Sequence, residues 1–422
     1  MTRELLRQVR LLDPLTHTDR VADVLIEASR IVAIESAIHQ PSADTKIQDC
    51  TGLILGHGLV DLYSHSGEPG FEDRETLDSL LQAATAGGFT RLNLLPDTQP
   101  AIDNPAAVEW VRAQLSNARL SNKAAQVRCW GALTLGAKGD QMVELGELAA
   151  TDIVGFTDGQ PLQNWALIRR ILEYGQALGK PIALWCCDRA LAGNGVVREG
   201  RESMRLGLPG IPVMAETAPL AALLECVGMI GTPVHLMRVS TARAVELIAT
   251  AKARGLPITA STTWMHLLLD IQAVRFYDPS LHLEPPLGNP ADRTALIQGL
   301  KDGVLDAIAI DHSPYTYEEK TVAFSESPAG AIGLELALAL LWQEFVATGE
   351  WSALELWRWL SSQPAQCLQQ PLAPIQPGSR AELVLFDPQP AWQVSPQTLK
   401  SRSSNTPWLG QTIQGRVVRT IG

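Results

Sequence analysis

The residues best suited to chemistry in this chain lie where apolar runs stop. The run GLVDLYSH at 58–65 contains Tyr63, ends in His65, and is followed by a Gly- and Pro-containing segment. Alternate residues of a strand point the same way, so both side chains are expected on one side of the strand end. A His-x-His pair in this position would hold a metal ion, whereas the Tyr-x-His pair found here offers one imidazole.

Other chemically capable residues follow or end later apolar runs. GFTDG contains Asp158, PIALWCCD contains Trp185, PVHLMRVS contains Arg238 and DAIAIDHSP contains Asp311. If these runs are parallel strands of one barrel, their carboxyl ends meet at one face, which is the place to search for ligands. Carboxylates and an imidazole suit metal-assisted hydrolysis, whereas an indole N–H only donates and a guanidinium is a permanent cation.

The elements that would position these residues alternate between strand and helix. From GLVDLYSH to DAIAIDH the pattern gives about eight strand–helix units, which is the size of a TIM barrel. Strand-like alternation also occurs near both ends of the chain. We therefore predict an α/β protein with a (β/α)8 barrel at 56–374 and a small flanking β-sandwich built from 1–55 and 375–422.

Composition limits the classes of function. The 422 residues are 46% hydrophobic and carry a net charge of −11, so a nucleic-acid partner, which needs clustered basic residues, is not expected. The start MTRELLRQVR has no apolar signal region, and no stretch suits a bilayer, so we expect no membrane contact and a cytoplasmic location. The six cysteines show no disulfide spacing, in keeping with that location.

Longer stretches of the sequence resemble one enzyme family. The segment GLVDLYSHSGEPGFEDRETLDSLLQAATAGGFTRLNLLPDTQPAIDNP is similar to the opening of dihydroorotase, the cyclic amidohydrolase of pyrimidine synthesis. Later segments resemble the same family: GFTDGQP, WCCDRALAGNGVVREG, RESMRLGLPGIPVMAE, MRVSTARAVELI, DAIAIDHSPYTYEEK, SPAGAIGLELALALL and SNTPWLGQTIQGRVVRTI. The resemblance covers residues 52–422 and implies a TIM barrel with a flanking β-sandwich.

The resemblance also implies where the family's two metal ions would be held, by four histidines and by aspartates. The four histidine positions correspond in order to Tyr63, His65, Trp185 and Arg238, the bridging aspartate to Asp158, and the final aspartate, which is the general base, to Asp311. His65, Asp158 and Asp311 are therefore retained, and three imidazoles are replaced by a phenol, an indole and a guanidinium.

These replacements are unfavourable for a metal ion. Catalytic zinc takes three protein ligands and a water molecule, and a permanent cation at a ligand position repels it. We therefore expect no cofactor, or zinc only if a reduced site survives. Arg238 is expected to pair with Asp311, or failing that with Asp158, in the space that the metals occupy in the family. The alternative is that Arg238 extends to solvent past Trp185.

The residues that bind the carboxylate of dihydroorotate in the family are also changed. The arginine, asparagine and histidine that supply it correspond to Gly67, Asp97 and Tyr315. If the resemblance holds, two of the hydrogen-bond donors to the substrate carboxylate are lost, and Asp97 is expected to repel an anionic substrate. Tyr63 and Trp185 are large enough to fill the vacated volume, so we expect packed core in place of a cavity.

Few other residues offer a replacement ligand. Cys187 shares strand parity with Trp185, although a small buried apolar residue is the favoured interpretation. His235 lies three residues before Arg238, so alternation predicts that it faces away from the mouth. His312 is interpreted as a loop residue that makes a hydrogen bond.

Three hypotheses about function follow. The first is a dihydroorotase-like protein without catalysis, which the resemblance would associate structurally with aspartate transcarbamoylase, and which is also expected to form a homo-oligomer. The second is an active zinc-dependent dihydroorotase that uses a reduced site of His65, Asp158 and Asp311. The third is a hydrolase for a different cyclic amide.

Overall fold

The computed structural model describes residues 3–39, 41–42, 44–116 and 125–422. The strands are β1 (Arg3–Asp13), β2 (Thr18–Glu27), β3 (Arg30–Glu35), β4 (Thr45–Asp49), β5 (Ile54–His57), β6 (Leu59–Val60), β7 (Phe89–Leu94), β8 (Gln126–Gly131), β9 (Ile153–Phe156), β10 (Ile182–Trp185), β11 (Val197–Arg198), β12 (Gly210–Ile211), β13 (Val234–Met237), β14 (Ile258–Thr263), β15 (Ala307–Ala309), β16 (Leu383–Gln393) and β17 (Thr412–Ile421).

The α-helices are α1 (Leu77–Gly87), α2 (Pro105–Leu115), α3 (Leu145–Ala149), α4 (Trp165–Gly175), α5 (Arg189–Ala192), α6 (Arg201–Leu206), α7 (Met214–Ile230), α8 (Ala242–Ala253), α9 (Trp264–Leu268), α10 (Pro290–Lys301), α11 (Tyr317–Lys320), α12 (Ala337–Leu341), α13 (Ala353–Trp357) and α14 (Gln363–Cys367). Short 3-10 turns cover Leu135–Ala137, Ile271–Phe276, Pro279–Leu281 and Phe324–Glu326, and π-helical turns cover Trp342–Val346 and Arg358–Ser362. Several helices begin at side-chain caps, such as Thr76 for α1 and Asn164 for α4.

Eight strands form the predicted TIM barrel. They are parallel and neighbour one another in the order β15-β14-β13-β10-β9-β8-β7-β6. The first and last strands meet beyond their ends, where the His65 amide donates to the His312 carbonyl at 2.8 Å and the His312 amide donates to Ser64 Oγ at 3.2 Å. Short apolar strands such as β10 and β13 are buried throughout, which is typical of a sheet covered on both faces.

Both ends of the chain contribute to a second sheet of seven strands. Its order is β17-β16-β5-β1-β2-β3, and β4 also pairs with β1. β1 runs parallel to β4 and β5, and the other pairings are antiparallel, so the sheet is mixed. The predicted β-rich flank made from both termini is therefore present. The division of the chain at residues 55 and 375 stays a prediction.

The core divides at the barrel wall. A large cluster lies between the strands and the surrounding helices, and a smaller one, which includes Val60, Trp130, Val154 and Ala307, fills the barrel interior. None of the helices in the described residues combines the length and the apolar character that a bilayer crossing requires.

Candidate functional site

The backbone turns sharply at two residues of the barrel mouth, which follow strands β13 and β15 on either side of β14. Arg238 follows β13 directly and has a φ of 55°, and Asp311 follows β15 and has a φ of 54°. Non-glycine residues rarely adopt this left-handed conformation, and those that do are concentrated at functional sites. At both positions the turn ends the regular alternation of the strand and aims the side chain into the mouth.

Arg238 and Asp311 form a bidentate ion pair. Arg238 Nη2 lies 2.6 Å from Asp311 Oδ1, and Arg238 Nε lies 2.8 Å from Asp311 Oδ2. The Arg238 side chain is 4% exposed and that of Asp311 is 13% exposed. The predicted pairing is thus present, and the alternative in which Arg238 extends to solvent is wrong. Burial by itself lowers the pKa of Arg238, but the Asp311 carboxylate outweighs this effect, so the pKa is raised.

Two further donors of Arg238 are also used. Nη1 donates to the Gly159 carbonyl at 3.0 Å, and Nη2 lies 3.2 Å from His65 Nε2. The guanidinium carbon lies 4.9 Å from the ring centre of Trp185 and 5.8 Å from that of Tyr63. Arg238 therefore occupies the middle of the mouth and touches most of the positions that the family resemblance assigns to metal ligands.

His65 is held between a carboxylate and the guanidinium. Its Nδ1 lies 2.5 Å from Asp97 Oδ2, and its Nε2 faces Arg238 and lies 3.7 Å from Asp311 Oδ1. In the neutral ring, Nδ1–H donates to Asp97 and the Nε2 lone pair accepts from Arg238. Burial lowers the pKa of His65, but the nearby Asp97 and Asp311 carboxylates raise the pKa by more than burial lowers it, so the net shift is upward.

Asp97 has a role that the sequence did not indicate. The structure gives it a specific partner in His65, and its expected repulsion of an anionic substrate stays a prediction. Burial raises the pKa of Asp97, but His65 lowers it more, so the carboxylate is stabilised in its charged form. The two residues are 32 positions apart, and nothing in their spacing marks them as a pair.

Asp158 faces a neighbouring loop instead of Arg238. Its Oδ1 accepts from the Leu133 and Thr134 amides at 2.7 and 3.0 Å, and its Oδ2 accepts from Thr134 Oγ1 at 2.5 Å. Burial raises its pKa to about 6, although these hydrogen bonds oppose the shift. Asp158 therefore supports the loop after β8, and its role as a metal ligand stays a prediction.

Tyr63 begins a column of hydrogen bonds inside the barrel. Its hydroxyl accepts from the Arg238 amide at 3.2 Å and bonds Ser261 Oγ at 3.1 Å. Ser261 Oγ in turn lies 2.9 Å from His235 Nε2, and His235 Nδ1 lies 2.9 Å from Thr259 Oγ1. The pKa of Tyr63 is raised, chiefly by burial, so the phenol stays protonated.

This column corrects the prediction that His235 faces away from the mouth axis. His235 points into the barrel interior below Arg238, where it is 3% exposed. The prediction assumed that alternation continues to residue 238, but the left-handed backbone at Arg238 breaks it. Both side chains therefore point inward although three positions separate them.

Two guanidinium groups lie over the Trp185 ring. Arg238 lies on it at 4.9 Å and Arg189 at 5.1 Å from the ring centre. Arg189 also binds Glu284 and Gln160, so it connects three loops over the indole. Cys187, the neighbour that could have replaced a ligand, is 9% exposed, and burial raises the pKa of its thiol to about 11. It packs as a small apolar residue.

A cavity of about 170 Å³ remains at the mouth. His65, Asp97, Arg238, Asp311 and Tyr315 all line it, together with loop residues after β14 and β15. The expectation that aromatic side chains fill the mouth is therefore wrong. Tyr63 and Trp185 are buried, but they leave this cavity open.

Gly67 shows why the family's arginine has no place here. A Cβ atom at this position would lie 2.2 Å from the Glu75 carbonyl oxygen and 2.6 Å from that of Phe71. Such distances exclude any side chain unless the backbone of this loop moves. His312 behaves as predicted for a loop residue: its Nδ1 accepts from the Gly333 amide at 3.1 Å, and its Nε2 lies 3.4 Å from Glu75.

The residues at the mouth do not fit a metal ion. Within the part of the chain that the structure describes, no three His, Cys, Asp or Glu side chains come together in a metal-binding group. Both Asp311 oxygens and both His65 nitrogens already face hydrogen-bond partners. A zinc ion would have to displace a guanidinium that cannot lose its proton.

Comparison with solved structures shows which proteins share this fold. L-hydantoinase from Arthrobacter aurescens superposes with a TM-score of 0.85 at 19% identity, covering 100% of this chain and 97% of its own. Dihydropyrimidinase from Brevibacillus agri gives 0.82 at 20% identity, covering 99% and 93%. At these identities the likeness concerns the fold, which is the TIM barrel of the amidohydrolases.

Comparison of sequences defines the family. Residues 52–242 match the family described as Dihydro-orotase-like, and residues 215–421 match the Amidohydrolase family. A probable dihydroorotase-like protein from Synechocystis sp. is 45% identical over 97% of this chain and 98% of its own, and the dihydroorotase of Syntrophus aciditrophicus is 37% identical over 99% and 97%. The chain belongs to the dihydroorotase family.

Proposed function

We propose that this chain is a member of the dihydroorotase family that has lost catalysis. The observation that carries the proposal is the bidentate contact of Arg238 with Asp311, at 2.6 and 2.8 Å. Asp311 is the position of the family's general base by resemblance, and both of its carboxylate oxygens are already taken up by hydrogen bonds from a permanent cation. Arg238 thus opposes both metal binding and proton transfer.

The remaining mouth residues support the same proposal. Trp185 supplies only an N–H donor, and Tyr63 uses its oxygen for Ser261 and the Arg238 amide. Without a bound metal, no hydroxide is generated at neutral pH for attack on a cyclic amide. The packed backbone at Gly67 and the carboxylate of Asp97 leave little to hold an anionic substrate.

Zinc content and turnover test the proposal together. After purification in zinc-supplemented buffer, elemental analysis is expected to find no stoichiometric zinc. The same preparation is expected to have negligible dihydroorotate turnover in either direction, and the dihydroorotase of Syntrophus aciditrophicus serves as the positive control. Tightly held stoichiometric zinc together with turnover in the usual enzyme range, roughly 1–10³ per second, would refute the proposal.

We propose a structural association with aspartate transcarbamoylase as the role of such a protein. Its support is the family resemblance and the retention of the fold and the closing motifs without the ligand set. The test is size-exclusion chromatography with light scattering on mixtures of this protein and the aspartate transcarbamoylase of the same organism. Separate elution of the two proteins at micromolar concentrations would exclude this role without affecting the proposed loss of catalysis.

A second candidate is an active cyclic amidohydrolase with a reduced zinc site. The cavity of about 170 Å³ beside His65, Asp97 and Asp311 favours it, because space for a small substrate remains. Zinc-dependent hydrolysis of dihydroorotate or of another cyclic amide, abolished by a chelator and by Asp311→Asn, would establish this candidate. Hydrolysis that survives chelation and Asp311→Asn would point to a contaminating enzyme.

A further inference from the structure

A segment near the carboxyl end of the chain runs from the terminal sheet to the barrel mouth. It covers residues 400–408, between β16 and β17. Ser403 Oγ donates to the Arg74 carbonyl at 2.7 Å, and the Trp408 ring stacks on Trp264 with 5.0 Å between the ring centres. Four polar residues of this segment are buried, namely Ser401, Ser403, Asn405 and Thr406. We call residues 400–408 the strap, because they connect parts of the barrel that are distant in sequence.

Asn405 of the strap joins two loops of the mouth. Its Nδ2 donates to the Ser313 carbonyl at 2.9 Å and to the Gly330 carbonyl at 3.2 Å. Its Oδ1 accepts from the Tyr315 amide at 3.2 Å, and its own carbonyl accepts from the Ile332 amide at 3.1 Å. Ser313, Tyr315 and Gly330 line the cavity at the mouth. The position of the strap therefore fixes one wall of that cavity.

Two carboxylates hold the other end of the strap. Both oxygens of Glu335 accept from the Lys400 amide, at 2.8 and 2.9 Å, and one of them also accepts from the Ser401 amide at 2.9 Å. Glu75 accepts from the Ser401 hydroxyl, and from the Arg402 amide at 2.9 Å. Ser401 therefore bonds to both carboxylates, which places the two acidic groups on either side of one residue.

The two carboxylates differ in the donors that surround them. Glu75 is 0% exposed, also accepts from the Ser79 hydroxyl, and lies 3.4 Å from His312 Nε2. His312 Nδ1 accepts from the Gly333 amide, so Nε2 carries the ring hydrogen that faces Glu75. In the part of the chain that the structure describes, Glu335 has no such hydroxyl or imidazole donors and accepts from the strap amides alone. Of the two, Glu335 is therefore better suited to take up a proton.

The charged groups around Glu335 act in both directions. Burial raises the pKa of Glu335 to about 7, and the negative charge of Glu75 adds to this shift, whereas the Ser401 and Lys400 amides and the Lys400 ammonium oppose it. Arg416 on β17 lines a small cavity together with Glu335 and has an exposed side chain. Because two neighbouring carboxylates in a partly buried place disfavour a double negative charge, Glu335 binds a proton more readily here than in water.

We propose that docking of the strap is linked to a proton on Glu335. The strap docks with Glu335 protonated, and it loosens as Glu335 ionises. Since Asn405 connects the strap to the loops at Ser313 and Gly330, the wall of the mouth cavity loosens with it. The structure thus contains a pH-sensitive device that acts on the mouth from outside the former ligand positions.

The direction of the effect follows from linkage. In the released strap, Glu335 returns to its ordinary pKa of 4.5, whereas in the docked strap the value is about 7. Between these values the docked strap binds a proton that the released strap does not. Docking therefore weakens as the pH rises through this range, by at most about tenfold per pH unit, and changes little above it.

Hydrogen exchange of the full chain, followed by mass spectrometry from about pH 5.5 to 7.5 and corrected for the intrinsic effect of pH, tests the proposal. The protection of the Ser401 and Arg402 amides is expected to fall on the order of tenfold across this range. Peptides that contain the Tyr315 and Ile332 amides are expected to follow in parallel. Amides of β1 and β2 are expected not to follow, because a local release leaves the terminal sheet intact.

Glu335→Gln is the decisive variant. It keeps an oxygen acceptor for the strap amides but cannot ionise, so protection of the strap and of the mouth peptides is expected to become independent of pH. Glu344→Gln is the matched control, because Glu344 pairs with Arg293 at 2.9 Å and its side chain is 50% exposed. This control is expected to retain the pH dependence of the wild type.

Four results would overturn the proposal. They are strap protection in the wild type that does not change with pH, an unchanged slope in Glu335→Gln, a change shared equally by β1 and β2, and a change in the strap that the mouth peptides do not follow. The first, third and fourth are read from the wild type, so the test stands even if a variant fails to fold. Zinc content and turnover are separate measurements, so none of these results bears on the proposed loss of catalysis.

Discussion

Arg238 and Asp311 meet in a two-pronged ion pair although each has a left-handed backbone, with φ values of 55° and 54°. Such conformations cost of order 1–3 kcal/mol each and persist where the surroundings enforce them. Here the ion pair itself is part of that enforcement, because it holds two strand ends at a fixed distance across the mouth. Four predictions about stability and activity follow from this arrangement.

Replacing Arg238 by alanine is expected to destabilise the fold by about 3–5 kcal/mol. The Asp311 carboxylate would then be a mostly buried charge without its partner, and His65 would lose a hydrogen-bond donor. Urea unfolding followed by circular dichroism measures the change. Arg238→Lys keeps the charge but loses the fork of donors, so an intermediate loss is expected.

Arg205 provides the control for this loss. It pairs with Glu202 at 2.9 Å on the surface, with a side chain that is 57% exposed. Arg205→Ala is expected to change stability by no more than about 1 kcal/mol. If Arg238→Ala changed it by as little, the ion pair would not stabilise the mouth.

Restoring one imidazole is expected to give no activity. Tyr63→His leaves Arg238 and Trp185 in place, and catalytic groups act as a unit. The variant is also expected to be less stable, because Ser261 and the Arg238 amide lose the Tyr63 hydroxyl. Tyr63→Phe isolates that second effect and is expected to cost about 1–3 kcal/mol. A large gain of dihydroorotate turnover in Tyr63→His would mean that most of the site is intact.

Restoring three imidazoles is expected to separate metal binding from catalysis. The combined variant Tyr63→His, Trp185→His and Arg238→His, with His65 and Asp311 unchanged, has enough ligands for zinc. We expect zinc in elemental analysis but little dihydroorotate turnover, because the residues that would bind the substrate carboxylate are still missing at positions 67, 97 and 315. Full turnover in this variant would show that the missing grip is unimportant.

His235 is expected to make stability depend on pH. Burial, with a smaller effect of Lys252, lowers the pKa of this imidazole from 6.5 to about 3. Between these values the unfolded chain binds a proton that the folded chain does not, so stability falls as the pH falls through this window, by at most about 1.4 kcal/mol per pH unit.

Urea unfolding of the wild type and of His235→Gln over this pH range checks the expectation. The variant is expected to be less stable at neutral pH, because Ser261 and Thr259 lose a partner, but to have a shallower pH dependence. Equal slopes in the two proteins would assign the acid sensitivity to other groups.

Much of the fold was predictable because barrel strands are short apolar runs that stop at polar residues. The family resemblance placed Arg238 and Asp311 in one space, and charge complementarity predicted that they pair. It could not predict the Asp97–His65 contact, since that depends on how far two loops approach each other. Strand alternation misplaced His235. The left-handed backbone at Arg238 changes the direction in which that side chain points, and an arginine in the sequence does not reveal that its backbone is left-handed.

The cavity at the barrel mouth could not be predicted from the sequence for a related reason. Side-chain volumes suggested that Tyr63 and Trp185 would fill it, but Arg238 and Arg189 both lie over the Trp185 ring, 4.9 and 5.1 Å from its centre. These contacts set the direction of the ring, and the cavity beside it stays open. Volume alone therefore says too little when the direction of a side chain is set by its charged neighbours.

The bond from the Arg238 amide to the Tyr63 hydroxyl couples position 63 to the backbone at position 238. A histidine at position 63 removes the acceptor of this amide, whereas every residue except proline keeps the N–H donor at position 238. A single change toward the family's ligand set at position 63 therefore weakens the mouth before the other ligands are in place.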